Sequence, residues 1–225
     1  NLPVGIKIGR QDFDEPREWI YDHNSDAARL YLYPLKGWVT EFSYAIGSLP
    51  KIKKFKKIRD IIFYTNWEFY KNNNLGFYWL DRNDHSDSTT ASGRPLASKP
   101  RWFGLRANGK LRTIPILFRY WSEFSLLRGS RPDKGRNFEA HAFDIGNTWA
   151  LNSSWEPSVT IGYAFGSGDP LPKDPTIKTF KQTSYHDNTG RFNGVATFQY
   201  YGQIFDPELS NLKILTLGTG VKPSS

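Results

Sequence analysis

The feature that most constrains this chain is a two-residue alternation between apolar side chains and polar or small ones. In the stretch 159–166 the odd positions are apolar and the even positions are small or polar, and the stretches 38–44, 61–69, 75–79 and 116–123 alternate in a similar way. Because successive side chains of a β-strand point to opposite faces, this period predicts strands with one apolar and one polar face. No sustained helical period competes, and about ten or eleven strands are expected.

Clusters of turn-forming or charged residues separate the alternating stretches. They lie at 51–57, 83–100, 128–136 and 166–175, and we interpret them as loops. The resulting spacing is typical of the up-and-down meander of a membrane β-barrel. Since no linker divides residues 1–225, we predict a single barrel domain.

The distribution of aromatic side chains bears on whether the apolar face meets lipid or a protein core. No apolar run approaches the roughly 20 residues of a spanning helix, whereas a barrel strand needs only every second side chain to face lipid. Trp and Tyr gather near predicted strand ends, which is typical of interfacial girdles. These residues are Trp19, Tyr21, Trp38, Trp79, Trp102, Trp121, Trp149, Trp155, Tyr200 and Tyr201. A soluble β-sandwich also alternates and stays open as the alternative.

The chain is basic, with 30 Lys and Arg against 22 Asp and Glu, a net charge of +8. Nucleic acid, an anionic membrane surface and a polyanionic ligand are the partner classes that such charge attracts, and a solvated basic surface is the plainest explanation. The lysine-rich stretch 51–57 fits a nucleic-acid patch or a rim loop against acidic lipid, although a solvated loop is simpler still.

Signals for catalysis, metals and cofactors are weak. The four histidines are scattered without metal-ligand spacing, there is no cysteine, and no nucleotide-binding or nucleophile-elbow motif occurs. Glu41, Glu68 and Glu123 offer carboxylates, but a glycosidase pair needs a defined separation that the sequence does not supply. We therefore expect no enzyme, no metal and no cofactor, with a polyuronate lyase as a minor alternative.

Three segments, in order along the chain, carry a resemblance to a known family. Residues 9–32 read GRQDFDEPREWIYDHNSDAARLYL, a strand ending in GRQ followed by an acidic loop with Arg and Trp and then a second strand. Residues 159–169 read VTIGYAFGSGD, and residues 180–220 read FKQTSYHDNTGRFNGVATFQYYGQIFDPELSNLKILTLGTG. Together they resemble the alginate-export porins of the Gram-negative outer membrane.

That resemblance implies an all-β fold, an antiparallel transmembrane β-barrel of about 18 strands with a basic interior. About ten or eleven strands fall short of this number, and the chain has neither a leader nor a terminal aromatic residue, so we expect an incomplete set of strands from a larger barrel. The implied function is passive export of an anionic exopolysaccharide resembling alginate. The implied partners are that polymer, outer-membrane lipid and periplasmic export-complex proteins, without nucleic acid.

Arginine is the expected side chain for such a pore, because its planar, permanently charged fork matches carboxylates. Strand parity assigns Lys7, Arg29, Arg106 and Arg119 to the polar side, and the resemblance adds Arg10, Arg17 and Arg191. Acidic neighbours would orient and partly neutralise these cations, namely Asp14, Glu18, Glu41 and Glu123. For each cation a purely structural ion pair remains an alternative. For the whole chain, a general anion-selective porin and a soluble basic β-sandwich that binds acidic glycans or nucleic acid also remain.

Overall fold

A computed structural model describes residues 3–14, 19–47, 58–85, 98–171, 173–186, 201 and 207–222. Within them the fold is all-β, as predicted, and the strand count agrees with the expected ten or eleven. The strands are β1 Val4–Asp14, β2 Asp22–Leu32, β3 Trp38–Ile46, β4 Ile58–Tyr70, β5 Asn73–Asp84, β6 Lys99–Thr113, β7 Ile116–Arg131, β8 Arg136–Leu151, β9 Ser158–Gly166, β10 Thr176–Ile177 and β11 Leu212–Gly220. No helix in these ranges is long and apolar enough to cross a membrane.

The strands form one sheet in which each long strand pairs antiparallel with the next along the chain. β11 pairs with β9, and the two-residue β10 pairs parallel with the start of β8, at Asn137 and Phe138. In the described ranges β1 and β11 each have a single sheet neighbour, so the sheet is not closed. This arrangement is consistent with a partial β-barrel.

The two faces of the sheet have opposite character. The face that we call inner carries buried polar and charged residues, among them Asp60, Arg106 and Asp144. The opposite, outer face exposes large apolar side chains, with Ile8 81% and Leu217 71% accessible. Such an extended exposed apolar surface is unusual for a soluble protein but typical of a lipid-facing barrel wall. A β-sandwich would bury these side chains against a second sheet, whereas the described strands form one sheet.

Connections at the two ends of the strands differ in length. At one end, the short-turn end, the strands are joined through residues 33–37, 71–72, 114–115 and 152–157. At the opposite end the connections are mostly longer, and the one between β9 and β11, apart from β10, extends over residues 167–211. Outer-membrane barrels show the same asymmetry between short periplasmic turns and longer extracellular loops.

The loop predicted at 128–136 is much shorter than expected. β7 continues to Arg131 and β8 begins at Arg136, so only residues 132–135 connect them. The ladder is built from backbone hydrogen bonds, which charged residues sustain as well as apolar ones. Likewise β5 extends to Asp84 and β6 begins at Lys99, while the lysine-rich stretch 51–57 and residues 86–97 lie outside the described residues.

Two inner-face aromatic rings lie flat against glycines on the next strand. Tyr78 faces its cross-strand partner Gly104, and Trp121 faces its partner Gly146. A Cβ added at Gly104 would come within 2.0 Å of the Tyr78 ring, and one at Gly146 within 2.1 Å of the Trp121 ring. Glycine is therefore required at both positions to let the rings lie against the wall.

Aromatic residues divide between the faces, which corrects the girdle interpretation for part of the set. Trp38 and Trp67 stack at 6.0 Å, and Phe118 and Trp149 lie 5.8 Å apart, on the outer face towards the short-turn end. Five of the aromatics predicted for girdles are instead buried on or under the inner face, because their polar atoms find partners there. These are Trp19, Tyr21, Trp102, Trp121 and Tyr201. Tyr200 lies outside the described residues.

Candidate functional site

Three arginines on the inner face each form a bidentate ion pair with a carboxylate on another strand. Arg106 donates from Nε and Nη2 to Glu123 at 2.9 and 2.7 Å. Arg82 donates from the same two atoms to Asp60 at 2.7 and 2.8 Å. A third pair joins Arg29 to Glu41 at 2.9 and 2.8 Å. Two parallel N–H···O bonds fix the plane of each guanidinium as well as its position.

Register explains why these partners meet. Arg106 and Glu123 are direct cross-strand partners of β6 and β7, so strand pairing alone places their side chains on one face. Asp60 and Arg82 are direct partners of β4 and β5 in the same way. Strand parity predicted Arg106 and Glu123 as separate pore residues without pairing them. It did not single out Asp60 or Arg82, although Arg82 has the same parity as Tyr78 and extending the alternation along β5 puts Arg82 on the polar side.

The pairs differ in their access to solvent. The side chains of Arg106 and Glu123 are 3% and 1% accessible, whereas those of Arg29 and Glu41 are 14% and 8% accessible. The Arg29–Glu41 pair borders a cavity of about 170 Å³, which Phe13, Tyr64 and Tyr78 also line. Charge and aromatic surface therefore meet at one opening on the inner face, a combination suited to a charged sugar.

Part of the β9–β11 connection folds back over the inner face. Residues 178–186 form this segment, which we call the inner strap. Trp102 Nε1 donates to the Lys181 carbonyl at 2.8 Å, and Arg82 Nη1 donates to the Thr183 carbonyl. Gln182 donates to the Trp19 carbonyl at 2.6 Å and accepts from the Leu209 amide at 2.8 Å. The strap is therefore held to the wall by specific hydrogen bonds.

A second set of hydrogen bonds converges on Asp144, which is buried on β8. Trp121 Nε1 donates to Asp144 Oδ1 at 2.7 Å, and the Tyr201 hydroxyl donates to Asp144 Oδ2 at 2.6 Å. Trp19 Nε1 donates in turn to the Tyr201 hydroxyl at 2.6 Å. One carboxylate oxygen of Asp144 thus bonds within the sheet, to β7, and the other bonds to Tyr201 in the chain that crosses it. Asp144 is not among the residues predicted for the pore.

Two tyrosines outside the strands complete the contact between strap and wall. Burial raises the pKa of the Tyr21 and Tyr185 phenols and outweighs the Arg82 guanidinium, which lowers both pKa values, while the Asp60 carboxylate raises them. The Arg82 guanidinium lies 4.4 Å from the Tyr185 ring centre, within the range of a cation–π contact. The phenols thus stay neutral beside the Arg82–Asp60 pair and add no third charge to it.

The structure distributes the predicted pore residues over both faces. Lys7, Arg29, Arg106 and Arg119 share the inner face, and the Lys7 ammonium lies 5.4 Å from the Tyr31 ring centre. Arg10 falls on the other face of β1, with Ile6 and Ile8, because it is an odd number of residues from Lys7. Asp14 borders the cavity beside Arg29. Three further predicted residues, Arg17, Glu18 and Arg191, lie outside the described residues.

No cluster of three or more metal-ligating side chains occurs in the described part of the chain. A family model described as Alginate export matches residues 1–225, the whole chain. No curated protein matches the sequence.

Proposed function

This chain belongs to the alginate-export family, and from that premise we propose that it forms part of the wall of an arginine-lined conduit through which an anionic polysaccharide diffuses passively. The family consists of outer-membrane porins of Gram-negative bacteria that export alginate, and it is a transport family rather than an enzyme family. The proposed cargo is an alginate-like polyuronate.

One observation carries the proposal, namely the cationic side chains on the inner face of a sheet whose outer face is apolar. Arg29, Arg82 and Arg106 lie on this inner face, and Lys7 and Arg119 share it. A polyuronate carries a carboxylate on each sugar, and guanidinium groups recognise carboxylates through two parallel hydrogen bonds. Lys7, Arg29 and Arg119 are at least partly accessible and offer the polymer successive sites, whereas Arg82 and Arg106 are buried and add positive charge behind them.

The protein's own carboxylates set the strength of those sites. An arginine already paired with Glu41 or Glu123 attracts a passing carboxylate less than an unpaired one, because its charge is partly compensated. Conduction requires binding that is favourable enough for entry and weak enough for release. Compensated arginines therefore suit passive movement, driven by synthesis or concentration, better than tight binding.

The outer face and the open sheet edges complete the proposal. The exposed apolar side chains would contact outer-membrane lipid, and residues 1–225 would form one part of a single barrel domain that further strands close. Periplasmic proteins of an export complex would deliver the polymer.

Planar-bilayer recording of the intact channel tests this function. We expect anion-selective conductance that alginate oligomers block. The variant Arg29→Gln/Glu41→Gln/Arg119→Gln should weaken both selectivity and block, and replacing Glu41 together with Arg29 avoids leaving a lone carboxylate in the pore. The matched control is Arg101→Gln/Asp81→Asn, which removes an ion pair on the outer face.

Three outcomes would contradict the proposal in different ways. Cation selectivity would rule out a basic conduit altogether. Anion selectivity without any block by alginate would indicate a general anion-selective porin. Shortening of the oligomers during incubation would indicate a lyase or hydrolase.

A further inference from the structure

A second group of basic residues lies away from Arg29, Arg82 and Arg106, at the short-turn end of the sheet. Lys110 and Arg112 are near the end of β6, Arg119 is near the start of β7, and Lys71 is in the β4–β5 turn. We call these four residues the mouth cluster. Lys110 and Arg112 have the same parity as Arg106, so both project from the inner face.

The strand register brings like charges together in this cluster. Lys110 and Arg119 are direct cross-strand partners, and Arg112 is diagonal to Arg119 because its own partner is Leu117. Like charges directly opposite each other destabilise a sheet. Elsewhere on the inner face, Arg–carboxylate pairs stabilise the sheet. At the mouth cluster, the pairing of Lys110 with Arg119 is electrostatically unfavourable.

Two adjoining cavities open beside these cations. One of about 450 Å³ is lined by Glu68, Asn74, Asn108, Lys110 and Arg119. The other, of about 500 Å³, is bordered by all four members of the cluster. Together they provide concave space that is several times larger than the cavity beside Arg29.

The local carboxylates do not balance the cluster. Among the described residues, Glu68 and Glu156 are the carboxylates that line these two cavities, against four cations. Glu68 is also engaged by its own turn, since it accepts the Asn72 backbone N–H at 2.6 Å. Arg112 is held in place by donating to Asn152 Oδ1 at 3.0 Å. The site therefore has an excess of positive charge on a braced framework with amide donors around it.

We infer that the mouth cluster, which shares Arg119 with the conduit, is a capture site for the carboxylates of a polyuronate entering from the short-turn side, an inference that rests on the proposed function. Its charge accelerates the encounter with the polymer, whereas the compensated arginines deeper in the pore govern passage. Clefts lined by one sign of charge raise association rates about tenfold or more, and salt suppresses the effect. In outer-membrane barrels the short turns face the periplasm, where an exported polymer enters.

The test measures block kinetics with alginate oligomers added to one side of the bilayer at a time. A cysteine placed by Ser153→Cys in the β8–β9 turn identifies the short-turn side through a membrane-impermeant thiol reagent, since the chain has no other cysteine. For Lys110→Gln/Arg112→Gln, the association rate of block from that side should fall about tenfold at 0.1 M salt. The dissociation rate and block from the other side should change little.

Controls separate charge from shape. Lys110→Arg/Arg112→Lys keeps the charge, and alginate oligomers should block this variant as they block the wild type. Lys134→Gln removes a cation from the β7–β8 turn at the opposite end and should not change the association rate from the short-turn side. If the neutral variant fails to insert, the wild-type salt dependence decides, because association from the short-turn side should fall more steeply with salt than association from the other side.

The two hypotheses fail in distinguishable ways. Absence of block in the wild type from either side would overturn the proposed function. Block that is present, but with equal association rates for the wild type and the neutral variant, or with equal salt dependence from both sides, would overturn the capture site alone.

Discussion

Removal of the Glu123 carboxylate is the sharpest test of how the inner face is built. Glu123→Gln keeps the shape of the side chain but removes the charge that receives two bonds from Arg106. Since the two side chains are only 3% and 1% accessible, water cannot replace the lost partner. Leaving one member of a buried ion pair without its counter-charge costs about 3–5 kcal/mol.

The exposed ion pair between Arg101 and Asp81 provides a comparison for this loss of free energy. Arg101 donates to Asp81 at 2.6 Å, but the two side chains are 51% and 24% accessible. Solvent screens such a pair, and exposed ion pairs contribute about 0–1 kcal/mol. Asp81→Asn should therefore lower the free energy of unfolding far less than Glu123→Gln, although both changes replace an arginine-bound carboxylate by an amide.

The assay is reversible guanidinium unfolding of the intact channel in lipid vesicles, followed by tryptophan fluorescence. Arg106→Met/Glu123→Leu supplies the second comparison, because replacing both charges by apolar groups is often close to neutral. A loss below about 1 kcal/mol for Glu123→Gln would refute the reasoning, since it would mean that the Arg106 charge is solvated without Glu123. Anion selectivity should rise in the same variant, because the substitution removes one negative charge from the inner face.

Other contacts and the assigned orientation lead to three further predictions. Gly146→Ala should cost about 1–3 kcal/mol in the same titration, because the new Cβ would lie 2.1 Å from the Trp121 ring, and an unchanged stability would contradict that contact. Gln182→Leu removes the donor to the Trp19 carbonyl and the acceptor of the Leu209 amide and should speed hydrogen exchange in the inner strap, whereas equal exchange would show that these bonds do not hold it. A cysteine replacing Ser153 should resist an impermeant reagent in intact cells and react once the outer membrane is opened; labelling of intact cells would reverse the assigned orientation.

No local sequence pattern predicts where the inner strap lies. Its residues lack a two-residue period, and its contacts join positions far apart in the chain, such as Gln182 with Trp19 and Lys181 with Trp102. Hydrogen-bonding side chains of this kind have many possible partners in an unfolded chain. Only the assembled sheet offers Trp102 and Arg82 at the right separation for the strap to bind.

The same limit explains the corrected aromatics. Proximity to a strand end was used to place Trp102 and Trp121 in a lipid girdle, but parity puts both on the inner face with Arg106 and Glu123. Position along a strand and the face of the strand are independent properties. An indole N–H turned inward finds an acceptor there, as Trp121 does at Asp144, and lipid tails would supply none.

The sequence by itself determined the strand period, the division into an apolar and a polar face, and the family, because alternation is a local property of every strand. It also identified the inner-face cations Lys7, Arg29, Arg106 and Arg119. The tertiary structure alone decided which carboxylate each arginine meets, where the mouth cluster accumulates like charge, and what covers the inner face. Those features depend on register and on a crossing segment, and both bring together residues that no short stretch of sequence contains.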